Sequence, residues 1–137
     1  MSEGYQLDRH PIPDGFQIFE ERLDVAGLQF RREDAEAFIL RGGQRLELEL
    51  DPGNEHDPNA IKVIGCNGTS YSTCRYFIGF VPKNVARAVV KKGFWGSVQP
   101  RLLKTYVSPS GFVEILFQLL GPKGRKKEYT GSRRSRA

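Results

Sequence analysis

Acidic residues almost vanish from this chain past its midpoint. Residues 61–137 hold 2 acidic and 15 basic side chains, against 14 acidic and 6 basic in residues 1–60, so a half of net −8 is followed by a half of net +13. A swing of that size points to one surface that meets a polyanion and another that faces away from it. Long apolar runs are missing too. No stretch approaches the ~18 apolar residues of a bilayer span, and the N-terminus lacks the charged-then-apolar order of a secretory signal. The expectation is a soluble, cytoplasmic protein with no membrane partner. Cysteine is scarce, with Cys66 and Cys74 flanking a turn, and reduced thiols fit that compartment. Their spacing is not that of a zinc knuckle even with His10 or His56 as further ligands, so no metal is expected.

The residue patterns of catalysis are equally thin. There is no Gly-rich phosphate loop ending in Gly-Lys-Ser/Thr, and no serine sits in a strand-to-helix nucleophile elbow. His56 stands beside Asp57, but neighbours on an extended strand point to opposite faces. A loop relaxes that rule, which leaves a phosphoryl-transfer role for the pair open. The expectation is no enzyme and no cofactor.

What the chain does have is enough apolar residues for one core. Leu, Ile, Val and Phe make up 37 of 137 positions, about 27%, above the ~20% below which disorder prevails. Residues 1–15, with Pro11, Pro13 and Gly15 and no periodicity, read as a flexible arm. Residues 16–121 read as the domain and 122–137 as a disordered basic tail, Lys/Arg/Gly/Ser-rich and of net +6 over 121–137.

Within the domain, 22–30 alternates as a first strand, with Gly27 a bulge or barrel bend. At 32–41 the period changes to 3.6, with Ala35, Phe38 and Ile39 on one stripe, a short helix. Strands follow at 44–51, where Leu46, Leu48 and Leu50 alternate with Glu47 and Glu49, at 60–66, and at 75–81, the last apolar enough to be central. Residues 83–92 form a second helix behind Pro82. Strands at 97–107 and from 113 to 119 complete the set. Six short, mostly antiparallel strands and two short helices make a mainly β fold, a small closed or nearly closed barrel.

The organising stretch is residues 51–64, Asp-Pro-Gly-Asn-Glu-His-Asp-Pro-Asn-Ala-Ile-Lys-Val-Ile. Pro52 and Pro58 fix φ and push Asp51 and Asp57 out of the helical region. Asn54, Asp57 and Asn59 can bond their own backbone two residues on. A loop so constrained holds one shape, either as a plain connection or as the place where a rigid scaffold carries binding residues. Around it lie aromatic residues (Phe30, His56, Tyr71, Tyr76, Phe80, Phe94 and Trp95) interleaved with Arg75, Lys83, Lys91 and Lys92. Basic grooves with aromatic platforms bind single strands, at about 1–3 kcal/mol per stacked base. The competing reading makes Phe30, Phe80 and Phe94 core residues.

This elbow, with Phe30-Arg31-Arg32-Glu33-Asp34-Ala35 before it and Ile78-Gly79-Phe80-Val81-Pro82 after it, resembles the HIRAN domain. These are modified OB-type barrels found in DNA-repair helicases and as free-standing proteins, and the resemblance spans about residues 20 to 120. It implies binding of single-stranded DNA by its free 3′ end, in repair or replication-fork processing, with a helicase or nuclease acting in trans. The positions that carry over are His56 and Asp57 on the elbow, Gln29 and Phe30, and Phe80 and Lys83. Asp57 would accept from the terminal hydroxyl. Two positions depart from better-known eukaryotic members, which often have tyrosine at 56 and in some cases arginine at 29. Those departures keep open an alternative, a protein-interaction module that retains the fold without the DNA pocket.

Overall fold

The alternation of Leu46, Leu48 and Leu50 with Glu47 and Glu49 produces β3 (Arg45–Leu50), which sits beside a more apolar neighbour, β4 (Ile61–Gly68). The computed structural model describes residues 6–7, 10–69 and 72–134. In it, β4 runs antiparallel to β3 on one side and to β5 (Thr73–Phe80) on the other, giving a three-stranded sheet of order β3-β4-β5. Strand β5 is therefore an edge strand, not the central one its apolar sequence implies. Its apolar side chains are covered by other elements instead. Ile78 is fully buried, and Tyr76 meets Phe38 of α1 (Arg32–Leu40) with ring centroids 6.3 Å apart.

Helix α1 follows its predicted stripe, with Ala35, Phe38 and Ile39 buried. Its C-terminal end is tied to β4 by the buried Asn67. The Asn67 amide donates to Phe38 O at 3.0 Å, and its oxygen accepts the Gln44 N–H at 2.9 Å. Both polar ends are thus satisfied, as burial of an amide requires.

The second sheet has the order β1-β6-β7-β2, formed by β1 (Gln6–Leu7), β2 (Phe16–Asp24), β6 (Gln99–Val107) and β7 (Val113–Pro122). Three expectations change here. The first long strand is β2, ending at Asp24, so it begins before the predicted 22–30. Past it, Gly27 takes a left-handed conformation (φ 72°) and opens a 3₁₀ turn, Leu28–Arg31. Gln6 and Leu7, placed in a flexible arm, pair with Thr105 and Lys104; residues 1–5 and 8–9 of that arm lie outside the described residues. The barrel is not closed: the described strands form two sheets, linked by one isolated bridge between Ala26 and Phe80.

That bridge fixes the end of β5. Ala26 N–H donates to Phe80 O at 2.7 Å, Phe80 N–H donates to Ala26 O at 2.9 Å, and Val81 N–H donates to Ile61 O at 2.9 Å. The approach requires glycine at 79, where φ is 152° and a Cβ would stand 2.5 Å from Ala26 O. The Ile-Gly-Phe-Val-Pro run is therefore a place where three chain segments meet. Pro82 then caps α2 (Lys83–Lys91), which buries Val85, Ala86, Ala88 and Val89.

The tail also departs from expectation. Residues Lys126–Arg134 form a helix, α3, and Tyr129 is fully buried. Its ring stacks on Phe19 at 4.9 Å, meets Phe94 edge-on at 6.0 Å, and its hydroxyl donates to Glu20 Oε2 at 2.6 Å. Aromatic pairs of this kind add about 0.5–1.5 kcal/mol each beyond burial. One aromatic residue thus orders a segment whose composition alone reads as disordered. Residues 135–137 lie outside the described residues.

Candidate functional site

The elbow between β3 and β4 is closed by backbone and side chain together. Asp51 N–H donates to Ala60 O at 3.0 Å, and Ala60 N–H donates to Asp57 O at 3.0 Å. Asn54 Oδ1 accepts the N–H groups of His56 and Asp57 at 2.9 and 3.0 Å, while the Asn54 amide donates to Asp51 Oδ2 at 3.1 Å. Asp57 Oδ1 accepts the Asn59 N–H at 2.9 Å. That leaves Oδ2 without a hydrogen bond among the described residues. Asp57 is a turn residue with one oxygen and an available acceptor with the other.

Asp57 lines a groove of about 770 Å³ together with Asn59, Lys83, Asn84, Arg87 and Lys91. Of the expected site residues, Asp57 and Lys83 line this groove and His56 and Phe80 do not; Asn84 and Arg87, which the sequence did not single out, line it as well. The signal for Arg87 lay in the spacing. Lys83, Arg87 and Lys91 recur every four residues, and such positions share one helix face. The buried Val85, Ala88 and Val89 define the opposite one.

Ion pairing sorts the cations. Arg75 is held by Glu47 and, at 3.4 Å, by Glu49, and that pairing raises its pKa further. Its charge is offset on the β3 face by those two carboxylates. Lys92 donates to the carbonyls of Glu128 (3.1 Å) and Tyr129, so it is committed to holding α3. Lys83, Arg87 and Lys91 make no ion pair among the described residues, and all three are exposed. The groove therefore combines three available cations, two amides and one carboxylate. It can take phosphates on the cations and a hydroxyl on the carboxylate.

The aromatic candidates separate as sharply. Phe94 is core, 1% exposed, and Tyr76 and Trp95 pack partly buried against that core. Tyr71 lies outside the described residues. Phe30 is the opposite case, 83% exposed on the 3₁₀ turn, so the core reading fails for it. His56 is exposed at the elbow tip. Phe80 is half-buried and meets Phe77 edge-on at 5.3 Å. Phe77, which nothing in the local sequence pattern singles out, has Arg31 3.6 Å over its ring and Lys62 Nζ 5.0 Å from it. Such contacts hold guanidinium and ammonium groups beside the ring.

Gln29 and Phe30 do not line the Asp57 groove. They border a separate shallow one with Arg31, Arg32, Glu33 and Asp34. The Ala26–Phe80 bridge ties their turn to the strand end that carries Phe80, three residues before Lys83. Two neighbouring surfaces thus share one backbone junction.

Comparison with known proteins gives two matches. Residues 18–92, more than half of the chain, match the model of the HIRAN domain. The structure is similar to the crystal structure of the HIRAN domain of human HLTF, with a TM-score of 0.48 and 19% sequence identity, covering 88% of this chain and 91% of that one. No curated protein matches.

Proposed function

This chain belongs to the HIRAN domain family, which is generally linked to nucleic-acid binding, and on that footing we propose that it binds single-stranded DNA and seats a free 3′ end at the elbow. The observation that carries the reading is the groove lined by Asp57, with its available oxygen, and by Lys83, Arg87 and Lys91, none of them ion-paired among the described residues. Phosphates neutralise the cations, and Asp57 accepts from the terminal 3′ hydroxyl while repelling a phosphate at the same place. His56, exposed beside it, stacks on the last base. Phe80 and Phe77 pair edge-on at the end of β5, with Arg31 and Lys62 held over the Phe77 ring, and offer the strand an aromatic platform. Gln29 and the open ring of Phe30 contact the strand from the adjoining turn.

The protein acts as a binding module and not as a catalyst, and it delivers ends to a helicase or nuclease working in trans in DNA repair or replication-fork processing. The test is fluorescence anisotropy with labelled single-stranded and duplex DNA of one sequence at low and moderate salt. Binding to the single strand that weakens with salt and exceeds binding to the duplex is the expected result. No binding at low salt, or equal affinity for both forms, contradicts it.

A further inference from the structure

The groove does not stop at the nucleotide beside Asp57. Three exposed cations on α2 lead away from it at steps of four residues, about 6 Å each, so Lys83 to Lys91 spans about 12 Å along the helix. At the far end of α2, Lys92 binds the carbonyls of Glu128 and Tyr129, which holds the start of α3 against that last turn. Helix α3 brings further cations there. Lys127 is exposed and Lys126 half-buried, and neither is ion-paired among the described residues.

We propose that the outer face of α2 is a phosphate track: Arg87 and Lys91 hold successive phosphates of the strand 5′ to the terminal nucleotide, and the docked α3 continues the track. The inference rests on the function proposed above and adds to it a direction and a minimum length. The strand leaves the elbow along α2 toward its C-terminal end. The ligand is therefore a single strand several nucleotides long, not an isolated terminal nucleotide.

The cations themselves argue for this occupant. The stripe on α2 holds no acidic residue, whereas Arg75 on β5 is met by Glu47 and Glu49 of β3. The buried side of α2 takes no part, so the stripe can be altered without touching the core.

The experiment compares wild type with the Arg87→Ala/Lys91→Ala double variant on single strands of 2, 4, 8 and 12 nucleotides sharing one 3′-hydroxyl end. For wild type, affinity rises with length and then levels off. The shortfall of the double variant against wild type is expected to grow with length, reaching tenfold or more on the 8-mer and 12-mer, with roughly 0.7 of salt slope lost per phosphate contact removed. An equal loss at every length, or no loss at any, overturns the track while leaving the end-binding reading standing. Wild type that binds no single strand overturns both.

Discussion

The side-chain oxygen of Asn54 accepts the backbone N–H of Asp57 at 3.0 Å, and the same oxygen accepts the N–H of His56 at 2.9 Å. Asp57 returns only one such bond, to Asn59. The elbow's shape thus depends more on Asn54 than on the residue proposed to meet the ligand. Asn54→Ala is expected to lower stability by about 1–2 kcal/mol, the range of a lost cap. Asp57→Asn, which keeps an accepting oxygen, should stay within about 0.5 kcal/mol of wild type. Chemical denaturation of both variants checks the order, and a larger loss for Asp57→Asn would refute it.

Gly79 is the position least able to change. A methyl there would meet Ala26 O and Val25 at 2.5 Å, at a φ of 152° that side chains disfavour. Gly79→Ala should cost roughly 1–3 kcal/mol from the backbone conformation, with the clash in addition. It should also loosen the Ala26–Phe80 bridge, visible as faster amide exchange at those two residues. Unchanged stability and exchange would show that the junction yields easily.

Tyr129 makes part of the tail structural. Deleting residues 132–137 should leave the melting temperature near that of wild type. Deleting 123–137 removes Tyr129 and should cost about 3–5 kcal/mol, as loss of a buried aromatic does. Tyr129→Phe, which forfeits only the bond to Glu20, should cost about 0.5–1.5 kcal/mol. Equal melts for the two truncations would mean that α3 contributes nothing.

The thiols should differ in reactivity. Cys74 is exposed and Cys66 buried. Burial first, and Glu47 second, push the Cys66 thiol above its ordinary 9.0. A thiol reagent should label Cys74 within the mixing time and Cys66 only on unfolding. The folded chain holds the Cys66 proton more tightly than the unfolded one. Its contribution to stability is therefore present below pH 9.0 and is lost as pH rises beyond it. Cys66→Ala should remove that alkaline dependence.

The sequence was legible where local pattern decides the outcome. Period-2 alternation located β3, the Pro-and-Asn elbow located its own turn, and the 3.6-residue stripe located both α1 and α2. It failed where distant partners decide. Strand β2 owes its start at Phe16 to pairing with Pro122 in β7, a partner invisible in the local pattern. Phe30 continues an apolar alternation but is turned outward by the left-handed Gly27. Phe77 reads as core in an apolar strand, yet it faces Arg31 and Lys62 because β5 is an edge. At the candidate site, the family resemblance pointed to Asp57 and Lys83, which line one groove. Arg87 needed the helix, and the distinction between Arg75 and Lys91 needed the acids of β3.

The most direct measurement is the affinity of wild type for one single strand ending in a 3′ hydroxyl and the same strand ending in a 3′ phosphate, repeated with Asp57→Asn. A like-charge contact at about 4 Å in water-like surroundings costs about 1 kcal/mol, a factor of roughly five. The account predicts at least that preference for the hydroxyl end in wild type, and its collapse in Asp57→Asn through better binding of the phosphate end. Equal affinity of wild type for the two ends would contradict it.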